Sequence, residues 1–192
     1  MECGAVGRSA DSDRTARFYR LVWPHAAVVL RYARVLTHRH AEAEDLSQEA
    51  MLKAFKSMDS LHDESGIKAW LLTILRNCHI DRTRSQARRN EISYDAMEVE
   101  LPAPDRVEHV QNTDPDSLLN EFSDEEMIQA LRNLPEDIRW TLLLVDVEGM
   151  PDAEAAAVLA VPVGTVKSRL HRGRKMLYQS LLPVAKELRL AV

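Results

Sequence analysis

The stretch VGTVKSRLHRGRK, Val163 to Lys175, holds five Lys or Arg residues, one His and no carboxylate. The chain around it is acidic, with a formal net charge of −5 and a pI near 5.8. Val166, Leu170 and Leu177 recur at spacings of four and seven, which places them on one helix face suited to a core. Lys167, Ser168, His171, Arg172 and Lys175 share the other face. A helix with apolar residues inward and donors outward is what the major groove accommodates. Arg and Lys can reach guanine O6 and N7, while Ser and further Arg heads hold phosphates. Gly173 inside it costs about 1 kcal/mol relative to Ala, so the segment relies on packing or on a ligand.

The residues before this stretch complete a pattern. PEDIRWTLLLVDVEG predicts one helix, with Pro135 near its start and Gly149 as its stop. DAEAAAVLA predicts a short helix, VPVG a tight connection, and TVKSRLHRGRKMLYQSLL a longer basic helix. A short helix, a turn of a few residues and a basic helix make a helix-turn-helix.

Further out, composition sets the frame. With 192 residues, 45% hydrophobic and 29% charged, the chain is an ordinary globular protein of one domain or two small ones. Only six glycines occur, and apolar residues recur three and four apart, so the expected fold class is all-α. Runs such as LLLV at 142–145 are too short to cross a bilayer, and the first residues lack the apolar core of a signal peptide. Cys3 and Cys78 form neither a disulfide framework nor a zinc-finger spacing. These features lead us to expect a bacterial cytoplasmic protein with no metal or cofactor.

Charge is segregated. Residues 66–90 carry six Lys or Arg against Asp81 alone, a net of +5; residues 91–126 carry twelve acids against Arg106 alone, a net of −11. Two basic segments suggest a polyanion touched at two places, although solvated helix faces would account for the charge equally well. The acidic middle, with Pro102, Pro104 and Pro115 and little apolar periodicity, is expected to be a flexible linker. Ser123 and Glu126 make a capping-box pattern ahead of Met127, Ala130, Leu131 and Leu134. The expected division is a tail over 1–14, a helical domain over 15–92, a linker over 93–117 and a second helical domain over 118–192.

In the first domain, HAEAEDLSQEAMLKAFKSM predicts a helix whose core face is Leu46, Ala50 and Ala54, with Met51, Phe55 and Met58 beside them. Asp45, Gln48, Glu49 and Leu52 form a separate stripe. Asp45 and Glu49 are like charges four apart, which costs an isolated helix a few tenths of a kcal/mol. A solvated acidic face relieved by Lys53, or a docking surface for a basic partner, explains the stripe. The following helix has Ile67, Leu71, Ile74 and Leu75 inward and Lys68, Arg76, Arg84 and Arg88 outward. Trp70 falls with the apolar series. Upstream, RFYRLVWPHAAVVLRYARVLT predicts one or two amphipathic helices with a break near Pro24.

These motifs together resemble a known family. LPEDIRWTLLLVDVEGM followed by VPVGTVKSRLHRGRKML is similar to region four of the extracytoplasmic-function (ECF) sigma factors, and AEDLSQEAMLKAF is similar to sigma region 2.2. The resemblance spans about residues 15 to 182. It implies that Lys167, Ser168, His171 and Arg172 face bases or nearby phosphates of the minus-thirty-five element, with Thr165, Arg169 and Arg174 nearer the backbone. It implies that Asp45, Gln48, Glu49 and Leu52 dock on the clamp helices of the RNA polymerase β′ subunit, the β flap being a further contact. The segment MDSLHDESGIKAWLLTILRNCHIDRTRSQARR resembles regions 2.3 and 2.4, which open the promoter and read the minus-ten element. There Leu61 would line a pocket for a flipped base, Asn77 would offer its amide, and Lys68, Arg76, Arg84 and Arg88 would hold DNA. The acidic linker would thread the RNA exit path, and an anti-sigma factor, often membrane-anchored in the family, would mask both domains. Three features depart from the pattern: Asp152 stands where an aromatic is usual, Ser47 where an apolar residue is common, and Leu61 is aliphatic where some relatives have an aromatic.

Other classes are less well supported by the residues. There is no phosphate-cradling glycine loop and no nucleophile signature. His38 and His40 fit a surface loop better than a metal site, and His62, Asp63 and Glu64 read as a polar turn. A helix-turn-helix repressor or activator that never binds polymerase would account for the C-terminal helices, but not for the Asp45–Glu49 stripe.

Overall fold

A computed structural model describes residues 6–93 and 124–187, and every regular element among them is helical. Of the expected tail over 1–14, residues 6–14 instead form the start of a helix, while residues 1–5, the segment 94–123 with Ser123 and nearly all of the expected linker, and residues 188–192 lie outside the described residues. The elements are α1 (Val6–Leu21), α2 (Ala26–Leu36), α3 (His40–Lys56), α4 (Ile67–Ser93), α5 (Asp124–Arg132), α6 (Glu136–Leu142), α7 (Asp152–Leu159) and α8 (Val163–Glu187).

The break expected near Pro24 is a 3-10 turn over Trp23–His25, with Pro24 at its start where a missing N–H costs nothing. Helix α2 ends at Thr37, which turns extended while its hydroxyl donates to the Ala33 carbonyl at 2.8 Å. Helix α3 buries Ala43, Leu46, Ala50 and Ala54 against α2 and α4. Between α3 and α4, Arg17 donates to the carbonyls of Met58 and Leu61 at 3.4 and 2.9 Å, pinning the connection beneath α1.

In the second half, the Arg139 guanidinium donates to the carbonyls of Leu131, Arg132 and Leu134 at 3.0, 2.6 and 2.8 Å, closing the C-terminal end of α5. Helix α6 runs into a π turn, Leu143–Val147, before Gly149 takes a positive φ of 67°. Helix α7 packs through Ala155, Ala156, Val158 and Leu159, the small face that stands in for an aromatic at Asp152. It stops at Ala160, whose left-handed φ of 55° lets its N–H bond back to Ala156 and Ala157. Helix α8 buries Val166, Leu170 and Leu177 as the spacing predicts. Gly173 explains its own presence: a Cβ there would sit 2.6 Å from Ile138 and 2.9 Å from Leu142.

The two halves share one continuous core. Helix α5 packs on α2 and α7 on α4. At the seam, the Tyr32 hydroxyl donates to the Leu143 carbonyl at 2.6 Å, and its ring lies 5.9 Å from that of Trp140. Burial drives the Tyr32 phenol far above its ordinary pKa, so the hydroxyl keeps the proton it donates.

Candidate partner and nucleic-acid interfaces

Three surfaces collect the residues singled out by sequence. On α3, Asp45, Gln48 and Leu52 are exposed, and Leu52 is 60% accessible, a large apolar side chain in water. Glu49 differs from its neighbours. Its carboxylate takes Arg82 at 2.7 Å and Lys53 at 3.1 Å. Burial would raise its pKa, but the hydrogen bonds from Arg82 and Lys53 outweigh burial and hold the carboxyl below the usual range. Lys53 is the relief expected from sequence; Arg82, thirty-three residues away on α4, is the partner that sequence spacing cannot reveal.

Beside this stripe lies an apolar groove of about 480 Å³ between α1 and α3, lined by Phe18, Tyr19, Trp23, Met51, Leu52 and Phe55. Tyr19 and Trp23 are more than half exposed, and their rings meet at a tilt of 55° with centroids 5.6 Å apart. Sequence reasoning gave this N-terminal segment no activity of its own. The signal available was its aromatic content, which periodicity assigned to packing.

The second surface is α4. Asn77, Arg84 and Arg88 are exposed, whereas Lys68 and Arg76 are half-buried. Lys68 meets the Glu148 carboxylate at 3.2 Å. Burial lowers the Arg76 pKa, and the field of Glu136 opposes that shift. Leu61 is 4% exposed and belongs to the core. Trp70 is partly buried, with its indole N–H donating to Ser60 at 3.2 Å.

The third surface is α8. Lys167, Ser168, His171, Arg172 and Lys175 point to solvent together, the face drawn from spacing alone. Thr165 is half-buried and its carbonyl accepts the Ser168 hydroxyl at 3.0 Å. Arg169 pairs with Asp137 at 3.1 Å, and Arg174 holds Asp146 through two bonds of 2.6 and 3.1 Å. The exposed donors sit on a helix whose opposite side is packed on α6 and α7, so their spacing is rigid. Among the described residues no cluster of three or more His, Cys, Asp or Glu could hold a metal ion, and no helix is long and apolar enough to cross a membrane.

Comparison with known proteins matches these surfaces to a family. The profile for Sigma-70 region 2 covers residues 21–89, and that for Sigma-70, region 4 covers residues 124–177. The ECF RNA polymerase sigma factor SigE of Mycolicibacterium smegmatis is 35% identical over 161 residues, which is 82% of this chain and 58% of that one. The ECF RNA polymerase sigma-E factor of Escherichia coli is 30% identical over 161 residues, covering 83% of this chain and 81% of that one. Among solved structures, the sigma factor RpoE of Bartonella quintana, in complex with the anti-sigma factor NepR, superposes with a TM-score of 0.68 at 28% identity, covering 86% of this chain and 96% of that one. With both halves matched, in order and over the helices that carry the exposed residues, the chain belongs to the extracytoplasmic-function sigma factors of the sigma-70 type.

Proposed function

We propose that this protein binds core RNA polymerase and directs it to a set of promoters, and that an anti-sigma factor holds it inactive until a signal releases it. In this reading residues 15–92 bind the polymerase and the minus-ten element, residues 118–192 bind the minus-thirty-five element, and the acidic residues 93–117 join them. The observation that carries the proposal is the pairing, on one family-matched chain, of an acid-and-apolar surface on α3 with a cation-and-hydroxyl surface on α8. The first suits protein, because exposed Leu52 and the aromatic groove offer apolar area beside Asp45 and Gln48. The second suits DNA, because five donors on one helix face can reach both base edges and phosphates.

Asp45, Gln48, Glu49 and Leu52 would contact the β′ clamp helices, with the aromatic groove extending that contact. Arg172, Lys167, His171 and Ser168 would read the minus-thirty-five element, with Thr165, Arg169 and Arg174 at its backbone. Asn77, Lys68, Arg76, Arg84 and Arg88 would hold the minus-ten strand, and Leu61 would shape the loop from beneath. The chain acts by positioning the polymerase, and the polymerase performs the chemistry. Resemblance to a sigma factor solved with its anti-sigma factor supports an inhibitor that covers these same surfaces in the cytoplasm.

Run-off transcription over a promoter library with sigma-free core enzyme tests the proposal. Promoter-specific transcripts that appear only when the chain is added support it. Sequence-specific DNA binding without any co-purification with core enzyme would instead mark a helix-turn-helix regulator.

A further inference from the structure

Three arginines of α1 reach across to the connection between α3 and α4. Arg14, Arg17 and Arg20 recur three residues apart, so they stand on successive turns of one helix face. Arg14 pairs with Asp59 at 2.7 Å. Arg17 donates to the Leu61 carbonyl at 2.9 Å and to the Met58 carbonyl at 3.4 Å. Arg20 meets Glu64 at 3.3 Å, and the Arg17 Nε lies 4.0 Å from the same carboxylate. The helix that carries them is itself fixed: Phe18 is buried, and its ring meets Phe55 of α3 edge-on with centroids 5.3 Å apart. One anchored element therefore holds residues 58–64 by two backbone carbonyls and two carboxylates.

The charge of this loop opposes a polyanion unless its acids are engaged. Asp59, Asp63 and Glu64 are three carboxylates within six residues. Each is occupied. Asp59 and Glu64 face the α1 arginines, while Asp63 accepts from the Ser65 N–H at 2.9 Å and the Ser65 hydroxyl at 2.7 Å. Leu61 is buried and anchors the loop, which leaves His62 to Ser65 as the exposed edge. From the α4 side, the Trp70 indole N–H donates to the Ser60 hydroxyl at 3.2 Å. A base turned out of a duplex is held only where groups already in place offset the cost of unstacking it.

Resting on the minus-ten reading above, we propose that Arg14, Arg17 and Arg20 are positioning residues for minus-ten recognition: from α1 they set the pose of the loop 58–64 and neutralise Asp59 and Glu64, so that its exposed edge meets the displaced strand in one arrangement. None of the three needs to touch DNA. Arg17 fixes the backbone through carbonyls, a contact indifferent to which side chains the loop carries. Arg14 and Arg20 cancel charge that would repel phosphate. The N-terminal helix thus contributes to promoter choice from behind the loop.

The test uses holoenzyme assembled from core polymerase and the full chain, on a promoter recovered with the wild type from the library. Selectivity is the ratio of run-off from that promoter to run-off from templates changed at single minus-ten or minus-thirty-five positions. Strand opening is read by permanganate reactivity of thymines at minus ten. Arg17→Ala is expected to lower minus-ten selectivity about fivefold or more and to reduce opening, with minus-thirty-five selectivity and retention on core enzyme unchanged. Arg17→Lys, which keeps a charged donor for one carbonyl, should recover part of the loss. Wild-type minus-ten selectivity in Arg17→Ala overturns the proposal. So does equal loss of both selectivities, or loss of core retention, which would mark general damage. Should Arg17→Ala lose its helical signal, Arg14→Gln combined with Arg20→Gln decides alone by the same readouts, because both guanidiniums are partly in solvent. His62→Ala, on the exposed edge, separates this claim from the one beneath it. If His62→Ala shifts minus-ten selectivity and the arginine variants do not, the loop reading stands and the positioning role falls; if none does, both fall. A wild type that directs no promoter-specific transcript removes the sigma-factor reading, and this inference with it.

Discussion

The cationic faces of α4 and α8 look alike in sequence and differ in the folded protein. On α8 the five outward groups from Lys167 to Lys175 stand in solvent, with their acidic neighbours engaged by Arg169 and Arg174 instead. On α4 the face is divided along its length. Arg84 and Arg88 near its end are exposed, while near its start Lys68 is turned onto Glu148 and Arg76 shares a groove with Glu136 and Asp137 of the other domain. The donor face of α8 is thus ready to bind, whereas the four named cations of α4 are divided between solvent and the other domain. Local charge density is therefore a poor guide to which surface of this protein meets DNA first.

The sharpest test of the contrast is substitution within α8. Arg172→Ala is expected to cost about 1–3 kcal/mol against the preferred minus-thirty-five sequence and to relax selectivity there. Arg174→Ala, which loses a pair with Asp146 as well as a cation, should weaken binding to all sequences alike. Competition binding with point-changed duplexes separates the two patterns, and equal loss of selectivity in both would erase the distinction drawn between exposed and engaged cations.

Next in size is Gly173→Ala, on the buried side of the same helix. The added methyl meets Ile138 and Leu142 closer than van der Waals contact, so overpacking of about 1–3 kcal/mol should outweigh the roughly 1 kcal/mol gained in helix propensity. Thermal melting should show a lower Tm. A higher Tm would mean that α6 yields freely, and that the rigidity claimed for the α8 face is overstated.

Across the seam, Tyr32→Phe removes one buried hydrogen bond worth about 0.5–1.5 kcal/mol, because the Leu143 carbonyl keeps the Glu148 N–H as a donor. Chemical denaturation should report that loss. The pH dependence of the same region has a defined sign. Burial holds the His79 pKa below its ordinary value, with Glu136 opposing the shift only in part. The unfolded chain then takes up a proton first on acidification, so stability falls as pH drops through about 6.5 and levels off below the folded value. His79→Gln should flatten that slope in denaturation curves at pH 7 and pH 5. The smallest effect is expected at the turn before α8, where Ala160→Gly relieves a left-handed residue and should gain at most about 1 kcal/mol.

The α3 surface reframes one experiment. Glu49→Lys, the obvious change in the acidic stripe, would set three cations together, because Arg82 and Lys53 already hold that carboxylate. Asp45→Lys and Leu52→Glu alter groups that stand in solvent, so lost co-purification with core enzyme in either would report docking rather than misfolding.

Much of this was open to inspection in the amino-acid order. The α8 faces, the buried side of α3, the break at Pro24, the stop near Gly149 and the all-helical class follow from periodicity and from residues with restricted backbones, which act over three or four neighbours. Gly173 was legible as a cost in search of a reason. Its reason, the side chains of Ile138 and Leu142, lies over thirty residues away and is a matter of distance. The same holds for Arg82 on Glu49 and for the three-residue knot of Arg31, Glu148 and Lys68.

The sequence by itself therefore determined which helices form, which face of each is apolar and which family the motifs resemble, because helix periodicity and capping are local. Only the tertiary structure decided which charges are free and which are spent on one another, and that the two halves meet at all. Pairing between distant charges depends on how the core brings α2, α4 and α6 together, and no spacing along the chain encodes that distance.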